Sequence, residues 1–289
     1  MTETTVDTAW RVHRKRVLDV CYRMLGTLSD AEDARQETYV RLARIGTDGI
    51  EDLEGWLVTT AGRVCLDMLR ASTTRRKYVG PWLPEPLVDT AAADPADRVT
   101  LDDSVRTALL AVLHTLNPAE RVAFVLHDVF GMPFEEIGEI VGRTPAATRK
   151  LASRARRAIR DDHEPRFDVT HAQARSVAEQ FSSACRTGDL GQLAAVLAPD
   201  VVGEFDSGGR IAGAPQGPQV GSELVSVVLT RSLFDAGADF AVADINGQPG
   251  VVVSLTGQVL AVIGLETDGR LVHAIRAVGN PDKLAHLNR

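Results

Sequence analysis

A short stretch of the sequence, residues 143–160, concentrates positive charge. It carries seven Lys and Arg residues and no acid, although the whole chain of 289 residues has a formal net charge of −7. Each cation placed near a phosphate releases condensed counterions, so a dense cationic block in an acidic chain favours nucleic acid. The chemistry that this block could supply is recognition of a phosphate backbone.

The residues around that block predict a helix-turn-helix at 134–160. The first helix is expected to end at Gly142, a residue suited to a left-handed cap, and Thr144 and Pro145 are start signals for the second. Two helices joined by so short a turn place the second helix in the major groove of DNA.

The second helix separates an apolar face from a basic face, at about 100° of rotation per residue. An unrelated bundle with a solvated basic helix is the alternative, but it leaves the caps and the glycine turn unexplained. We expect residues near the helix start to read base edges and later arginines to hold phosphates. The predicted DNA-binding residues here are Thr144, Arg149, Lys150, Ser153, Arg154, Arg156, Arg157 and Arg160.

The chain that must position these residues changes composition along its length. A helical part is followed by an acidic, proline-rich linker, a second helical part and a part in which helices precede Val-rich runs. Asn246-Gly247 and Asp268-Gly269 are turn pairs typical of hairpins. The predicted segments are 1–78, 79–103, 104–163 and 165–289. The first and third are all-α domains and the second is the linker between them. The last is an α+β domain with a curved antiparallel sheet.

Composition excludes several other classes of protein and site. The apolar content of 44% suffices for buried cores, and no apolar run approaches the roughly 20 residues of a membrane helix. The N-terminus lacks the apolar stretch of a signal peptide, so we expect a cytoplasmic protein. Cys21, Cys65 and Cys185 are odd in number and far apart, which predicts buried free thiols, no metal site and no cofactor.

Between Leu28 and Leu42 the sequence places DAED, QE and R in order, at Asp30, Glu32, Asp33, Gln36, Glu37 and Arg41. This pattern resembles region 2 of the extracytoplasmic-function sigma factors, transcription initiation factors of the sigma-70 family. Residues 55–70 look like the next helix of that family, and residues 116–160 resemble its region 4. The resemblance covers about residues 5–160 and implies that core RNA polymerase and promoter DNA are the partners.

The resemblance implies that one helix face of region 2 docks on the polymerase. Asp33, Gln36, Glu37 and Arg41 would meet the β′ clamp, and the β subunit would contact the chain as well. Interleaved charges at helical spacing define the geometry of an interface more than its affinity. A solvated amphipathic helix is the alternative, and it explains the charges but not the repeated pattern.

The resemblance also implies that the loop at 46–54 and the helix after it face the melted promoter. Bases exposed by melting can be trapped in pockets while basic residues hold the backbone. Trp56 could be a stacking platform, although its helical spacing with Leu57 and Thr60 favours a core position. The basic residues implied for this role are Arg63, Arg70, Arg75, Arg76 and Lys77.

The C-terminal segment is similar to the SnoaL-like fold, a cone-shaped α+β domain. Three short signatures match the sigma subgroup that carries such a domain: Trp82-Leu-Pro-Glu-Pro86, Asp206-Ser-Gly-Gly-Arg210 and Asn280-Pro-Asp-Lys-Leu284. The second differs from the usual Asp-Gly-Gly-Gly-Lys form at Ser207 and Arg210. We expect the second and third signatures to make regulatory contacts with region 2 or with the linker residues Trp82 and Pro84. The residues of these two signatures are Asp206, Gly208, Gly209, Arg210, Asn280, Pro281, Asp282 and Lys283.

A cone of this kind can also hold an enzyme site or a small ligand. An isomerase-like site needs a carboxylate base and buried acid donors, commonly tyrosines. All the tyrosines, at 22, 39 and 78, precede residue 83, which leaves only His273 and Asp206 as candidates. We therefore predict no catalysis, and an unidentified ligand in the cone stays open.

The predicted function is an alternative sigma factor that directs promoter-specific initiation and is modulated by its own C-terminal domain. Two alternatives remain at this stage. One is a helix-turn-helix regulator that binds DNA without recruiting polymerase, and the other is an enzyme fused to a DNA-binding module. The promoter sequence, the inducing signal and the direction of control are not predicted.

Overall fold

The computed structural model describes residues 5–71, 78–89, 106–163, 167–233 and 237–288. They form two compact units. The first unit holds 5–71 and 109–163, and the second holds 78–89, 106–108 and 167–288. The first part of the linker thus belongs to the same unit as the C-terminal segment.

Helices α1 (Thr5–Leu25), α2 (Leu28–Ile45) and α3 (Leu53–Ala71) form a bundle in the first unit. Each helix turns a periodic face inward, and on α2 the buried positions recur at helical spacing, at Ala31, Ala34, Thr38 and Leu42. Full burial of a Leu or Val side chain contributes about 1.5–3 kcal/mol, so this shared core holds the bundle together.

The other helices among the described residues of the first unit pack against this bundle. They are α4 (Thr107–Leu113, of which 109–113 belong to this unit), α5 (Pro118–Phe124), a π-helical turn (Val125–Val129), α6 (Phe134–Val141) and α7 (Pro145–His163). The fully buried Arg121 donates to the carbonyl of Met24 over 2.9 Å, at the last turn of α1, where the helix dipole favours a cation.

Gly62 lets α3 approach the second half of the unit closely. A Cβ there would lie 3.2 Å from Leu126 and 3.4 Å from Ile140. The free thiols of Cys21 and Cys65 are buried in this unit and that of Cys185 in the other, which confirms the prediction of buried free thiols. Burial raises the pKa of Cys185 to about 12.

The second unit is an α+β domain with a six-stranded sheet. Its helices are α8 (His171–Thr187), α9 (Leu190–Val196), α10 (Ser222–Leu233) and α11 (Pro281–Leu284). Its strands are β1 (Leu197–Asp206), β2 (Gln219–Val220), β3 (Asp239–Ile245), β4 (Gln248–Leu255), β5 (Gln258–Thr267) and β6 (Val272–Val278).

The strand order is β2-β1-β6-β5-β4-β3, and the sheet is mixed. β1 and β6 pair in parallel, with Gly203 opposite Ile275, whereas the other neighbours are antiparallel. The prediction of a wholly antiparallel sheet was therefore wrong for this pair. Parallel partners are joined by a long crossover, so local turn signals do not reveal their pairing.

The apolar core of the second unit lies on one face of the sheet. Side chains alternate with period two, so Val251 and Val253 on β4 face the same cluster as Ala261 and Ile263 on β5. The two turn pairs lie between β3 and β4 and between β5 and β6, as predicted.

Within the described ranges, no helix combines the length and apolarity needed to cross a membrane. The same residues include no cluster of three or more His, Cys, Asp or Glu side chains that could hold a metal ion.

Candidate functional site

The predicted helix-turn-helix is present in the first unit. Gly142 caps α6 in the left-handed region, with φ 69° and ψ 45°, and Thr144 accepts the Ala147 amide over 3.3 Å at the start of α7. Gly138 permits the close approach of the two helices, because a Cβ there would lie 2.7 Å from the Arg143 carbonyl oxygen. The turn therefore requires glycine at both positions.

The basic face of α7 is mostly exposed, and three of its arginines, including the exposed Arg149 and Arg154, also contact other side chains. Arg156 lies 2.6 Å from the Asp128 carboxylate and Arg154 lies 3.9 Å from that of Glu120. Arg149 stacks 5.1 Å from the centre of the Phe134 ring. Further exposed side chains on the same helix are Lys150, Ser153, Arg157 and Arg160, and Thr144 is exposed before it.

A pocket of about 310 Å³ opens between the end of α2 and the start of α3. Trp56 is half-buried there and is not part of the apolar core that its spacing favoured. Helical periodicity assigns a face but does not determine how deeply it is buried. Three guanidinium groups beside an aromatic ring suit an unstacked base and its phosphates. The lining residues are Arg41, Arg44, Ile45, Trp56, Thr60 and Arg63.

The residues implied for polymerase binding share one exposed side of α2. Asp33, Gln36 and Glu37 are exposed, and Arg41 pairs with Glu37 over 2.9 Å, four residues apart on the helix. Arg41 also lines the pocket, so this face and the pocket are continuous.

The structure brings only part of the basic set together around that pocket. Arg63 lines it and lies 4.0 Å from Glu139 of α6, whereas Arg70 is exposed near the end of α3. Arg75, Arg76 and Lys77 lie outside the described residues.

Asp206, at the end of β1, is the centre of a buried polar cluster in the second unit. Its carboxylate accepts from the Lys283 ammonium over 2.7 Å, the Leu83 amide over 2.8 Å and the Gly208 amide over 3.1 Å. The Tyr78 hydroxyl donates a hydrogen bond to the same carboxylate. The cluster therefore joins two of the sequence signatures to the linker.

Lys283 makes three kinds of contact with this cluster. It pairs with Asp206, donates to the Leu83 carbonyl and lies 4.0 Å from the centre of the Trp82 ring. Pro84, the next linker residue, is buried. Lys283 can therefore hold the linker through a hydrogen bond and a π face, while Asp206 balances its charge.

Small residues of the second signature let the linker and the third signature approach. A Cβ on Gly208 would lie 2.5 Å from the Asn280 amide nitrogen, and one on Gly209 would lie 3.0 Å from Val79. Both glycines have positive φ, 58° and 75°, which L side chains rarely adopt.

The other predicted contacts join the second and third signatures to each other. Arg210 pairs with Asp282 over 2.9 Å, although both side chains are mostly exposed. Asn280 caps α11, in which Pro281 is the first residue, and donates to the Tyr78 hydroxyl over 2.8 Å.

Sequence reasoning missed several residues that hold the linker. Burial and the neighbouring Asp206 carboxylate raise the pKa of Tyr78 far above 10, so its hydroxyl keeps its proton and donates. His286 lies 2.8 Å from the Glu85 carboxylate and 3.1 Å from the Pro86 carbonyl oxygen. A sequence signal for Tyr78 was available in its position four residues before Trp82 of the first signature, whereas no sequence signal pointed to His286.

The residues considered for catalysis have structural partners. His273 lies 3.1 Å from Asp268, and its ring is tilted against that of Phe167 with 4.4 Å between the centroids. The amide of Leu271 lowers the pKa of Asp268 to about 2. The cavity beside Asp206 measures about 30 Å³. That is space for one or two waters, so a larger ligand would require side chains to move.

Two family models match this chain. One, described as Sigma-70 region 2, matches residues 9–75, and the other, described as Sigma-70, region 4, matches residues 106–159. They coincide with the helical bundle and with the part that holds the helix-turn-helix.

Similarity to known proteins extends beyond those two regions. The chain is 36% identical over 282 residues to the probable ECF RNA polymerase sigma factor SigI of Mycobacterium tuberculosis, covering 96% of this chain and 94% of that protein. It is 39% identical over 223 residues to the sigma factor SigJ of the same organism, covering 75% and 70%. The crystal structure of that SigJ superposes with a TM-score of 0.71 at 32% identity and covers 96% of this chain and 98% of the other.

Proposed function

Because this chain belongs to the extracytoplasmic-function sigma factors of the sigma-70 family, we propose that its first unit contacts the promoter and the polymerase and that its second unit controls these contacts. Members of this family bind core RNA polymerase and promoter DNA, and the chain is a sigma factor that directs transcription initiation, not an enzyme. What we propose is which residues make these contacts, which polymerase subunits they meet, and that the second unit controls initiation.

Promoter recognition is assigned to two places in the first unit. Lys150 and Ser153 on α7 would read base edges in the major groove, with Arg157 on a phosphate. The pocket at Trp56 would hold an unstacked base of the melted strand, with Arg44 and Arg63 facing its phosphates. The observation that carries this assignment is an aromatic ring among three guanidinium groups in a pocket of about 310 Å³.

Polymerase binding is assigned to the exposed side of α2. Asp33, Gln36, Glu37 and Arg41 would meet the β′ clamp, with further contacts to the β subunit. The Glu37–Arg41 pair fixes the orientation of both side chains, which supports specificity of docking more than affinity. A factor bound to the polymerase would act in the cytoplasm.

Control by the second unit is assigned to the cluster around Asp206 and Lys283. Tyr78 and the linker residues Trp82 and Leu83 contact it directly. Residues that connect regions 2 and 4 are therefore bound by the C-terminal domain, which could replace a separate inhibitory protein.

The experiment that tests initiation is transcription in vitro with purified bacterial core polymerase and fragmented genomic DNA. Addition of the full chain should create discrete new start sites, which would also reveal the promoter sequence. Absence of new transcripts together with absence of polymerase binding would contradict the proposal and favour a DNA-binding regulator.

Charge reversal separates these two functions. We expect Asp33→Lys with Glu37→Lys to lower affinity for core polymerase by about 10-fold or more, since like charges replace complementary ones. Asp200→Lys with Glu223→Lys makes the same change of charge at exposed positions of the second unit and is the control. Equal polymerase binding by both double variants would remove α2 from the interface.

A further inference from the structure

Asn246 holds the linker at a second place, separate from the cluster around Asp206. It is the first residue of the turn between β3 and β4, is fully buried and adopts a left-handed φ of 51°. Its side-chain oxygen accepts the Leu87 amide over 3.1 Å and faces the Thr107 hydroxyl over 3.4 Å. Its own amide donates to the Leu87 carbonyl over 2.7 Å.

Next to Asn246 the linker adds to the edge of the sheet. β3 is an edge strand, and Val88 forms an antiparallel bridge with Ile245 while the Asp89 amide donates to the Asp244 carbonyl over 3.0 Å. Unpaired groups on an edge strand readily accept an extended segment in this way. The contact depends on the linker backbone and thus differs from the side-chain cluster at Asp206.

Thr107, the first residue of α4, reaches Asn246 from the far end of the linker. A Cβ on Gly264 of β5 would lie 3.6 Å from the Thr107 hydroxyl, so this residue also lies against the sheet. Leu87 and Thr107 therefore meet at one side-chain oxygen. The segment between Leu87 and Thr107 has about 20 residues, and a fully extended chain of that length could span about 65 Å.

We propose that Asn246 is a positioning residue that holds Leu87 of the linker next to Thr107, the first residue of α4, and so limits how far region 4 can move from region 2. The proposal rests on the sigma-factor function, in which the two regions contact different promoter elements. While both hydrogen bonds persist, the linker cannot span the distance that its length allows. Loss of the hydrogen bonds at Asn246 is then a step toward the state of the sigma factor that initiates transcription.

The test is Asn246→Gly in the full chain. Glycine tolerates the left-handed backbone, so this change removes the side-chain acceptor and leaves the turn intact. Thr256→Gly is the matched control, because Thr256 is also left-handed, with φ 48°, and also precedes a glycine in a hairpin turn. Thr107→Val removes the hydroxyl that faces Asn246, whereas Thr107→Ser keeps it.

Two measurements are made on each protein: amide hydrogen exchange at Leu87 and transcription with core polymerase. Asn246→Gly should lose protection at Leu87 and increase transcript yield roughly 10-fold, the order expected for two lost hydrogen bonds. Thr107→Val should increase yield by about 3-fold, whereas Thr107→Ser and Thr256→Gly should match the wild type in both measurements.

Unchanged protection at Leu87 in Asn246→Gly would overturn the proposal, as would lost protection without increased transcription. An equal effect of Thr256→Gly would overturn it too, because turn flexibility alone would then explain the result. Absence of transcripts and of polymerase binding for every protein would instead contradict the sigma-factor function itself, and the regulatory role of Asn246 would fall with it.

Discussion

Lys283 and Asp206 form an ion pair whose side chains are 7% and 0% exposed. A buried charge that loses its partner keeps its cost of desolvation, so we predict that Lys283→Met lowers the free energy of unfolding by about 3–5 kcal/mol. Adding Asp206→Asn should recover part of this loss, because no unpaired charge remains. Urea denaturation of the three proteins is the measurement, and a double variant less stable than Lys283→Met would contradict the prediction.

Two exposed residues of α7 should affect DNA binding differently. Lys150→Ala should cost about 1–3 kcal/mol on the preferred promoter and relax sequence preference, because it removes a base contact. Arg157→Ala should weaken binding to all sequences and reduce the salt dependence, because it removes a phosphate contact. Binding to specific and scrambled duplexes at several salt concentrations separates these results, and identical behaviour of the variants would contradict the assigned roles.

At the scale of elements, the helix-turn-helix depends on a glycine inside its first helix. A methyl group at Gly138 would collide with the Arg143 carbonyl at 2.7 Å. We predict that Gly138→Ala destabilises the first unit by about 1–3 kcal/mol and weakens DNA binding, although alanine favours helices. Gly217→Ala is the control, since no atom lies within 4 Å of its Cβ position. Equal melting temperatures for the two variants would show that the turn can adjust.

Helix ends and hairpin turns could be predicted from the sequence, whereas one strand pairing could not. The caps at Gly142 and Thr144 and the turn at Asn246-Gly247 were confirmed, because such signals act within a few residues. The parallel pairing of β1 with β6 was missed, because these strands are distant in sequence and no local pattern encodes their contact.

At the scale of the whole molecule, we predict that a chain ending before Asn280 transcribes more than the full chain. Truncation removes Asn280, which contacts Tyr78, and Lys283 and His286, which contact the linker. Loss of this set should increase promoter activity by about 10-fold or more, since a few kcal/mol shift a two-state equilibrium by that factor. Transcription in vitro from one promoter measures it, and unchanged activity would argue against control by the C-terminal domain.

The sequence by itself determined the family, the helix-turn-helix and the three signatures, one in the linker and two that meet it. These depend on residue types at short spacing, where capping, periodicity and turn chemistry act locally. Only the tertiary structure decided that Tyr78 donates to Asp206, that Trp56 lines a pocket and that Asn246 reaches both Leu87 and Thr107. Those contacts depend on burial and on segments that are distant along the chain, and the cost of bringing such segments together is recovered only when the whole domain folds.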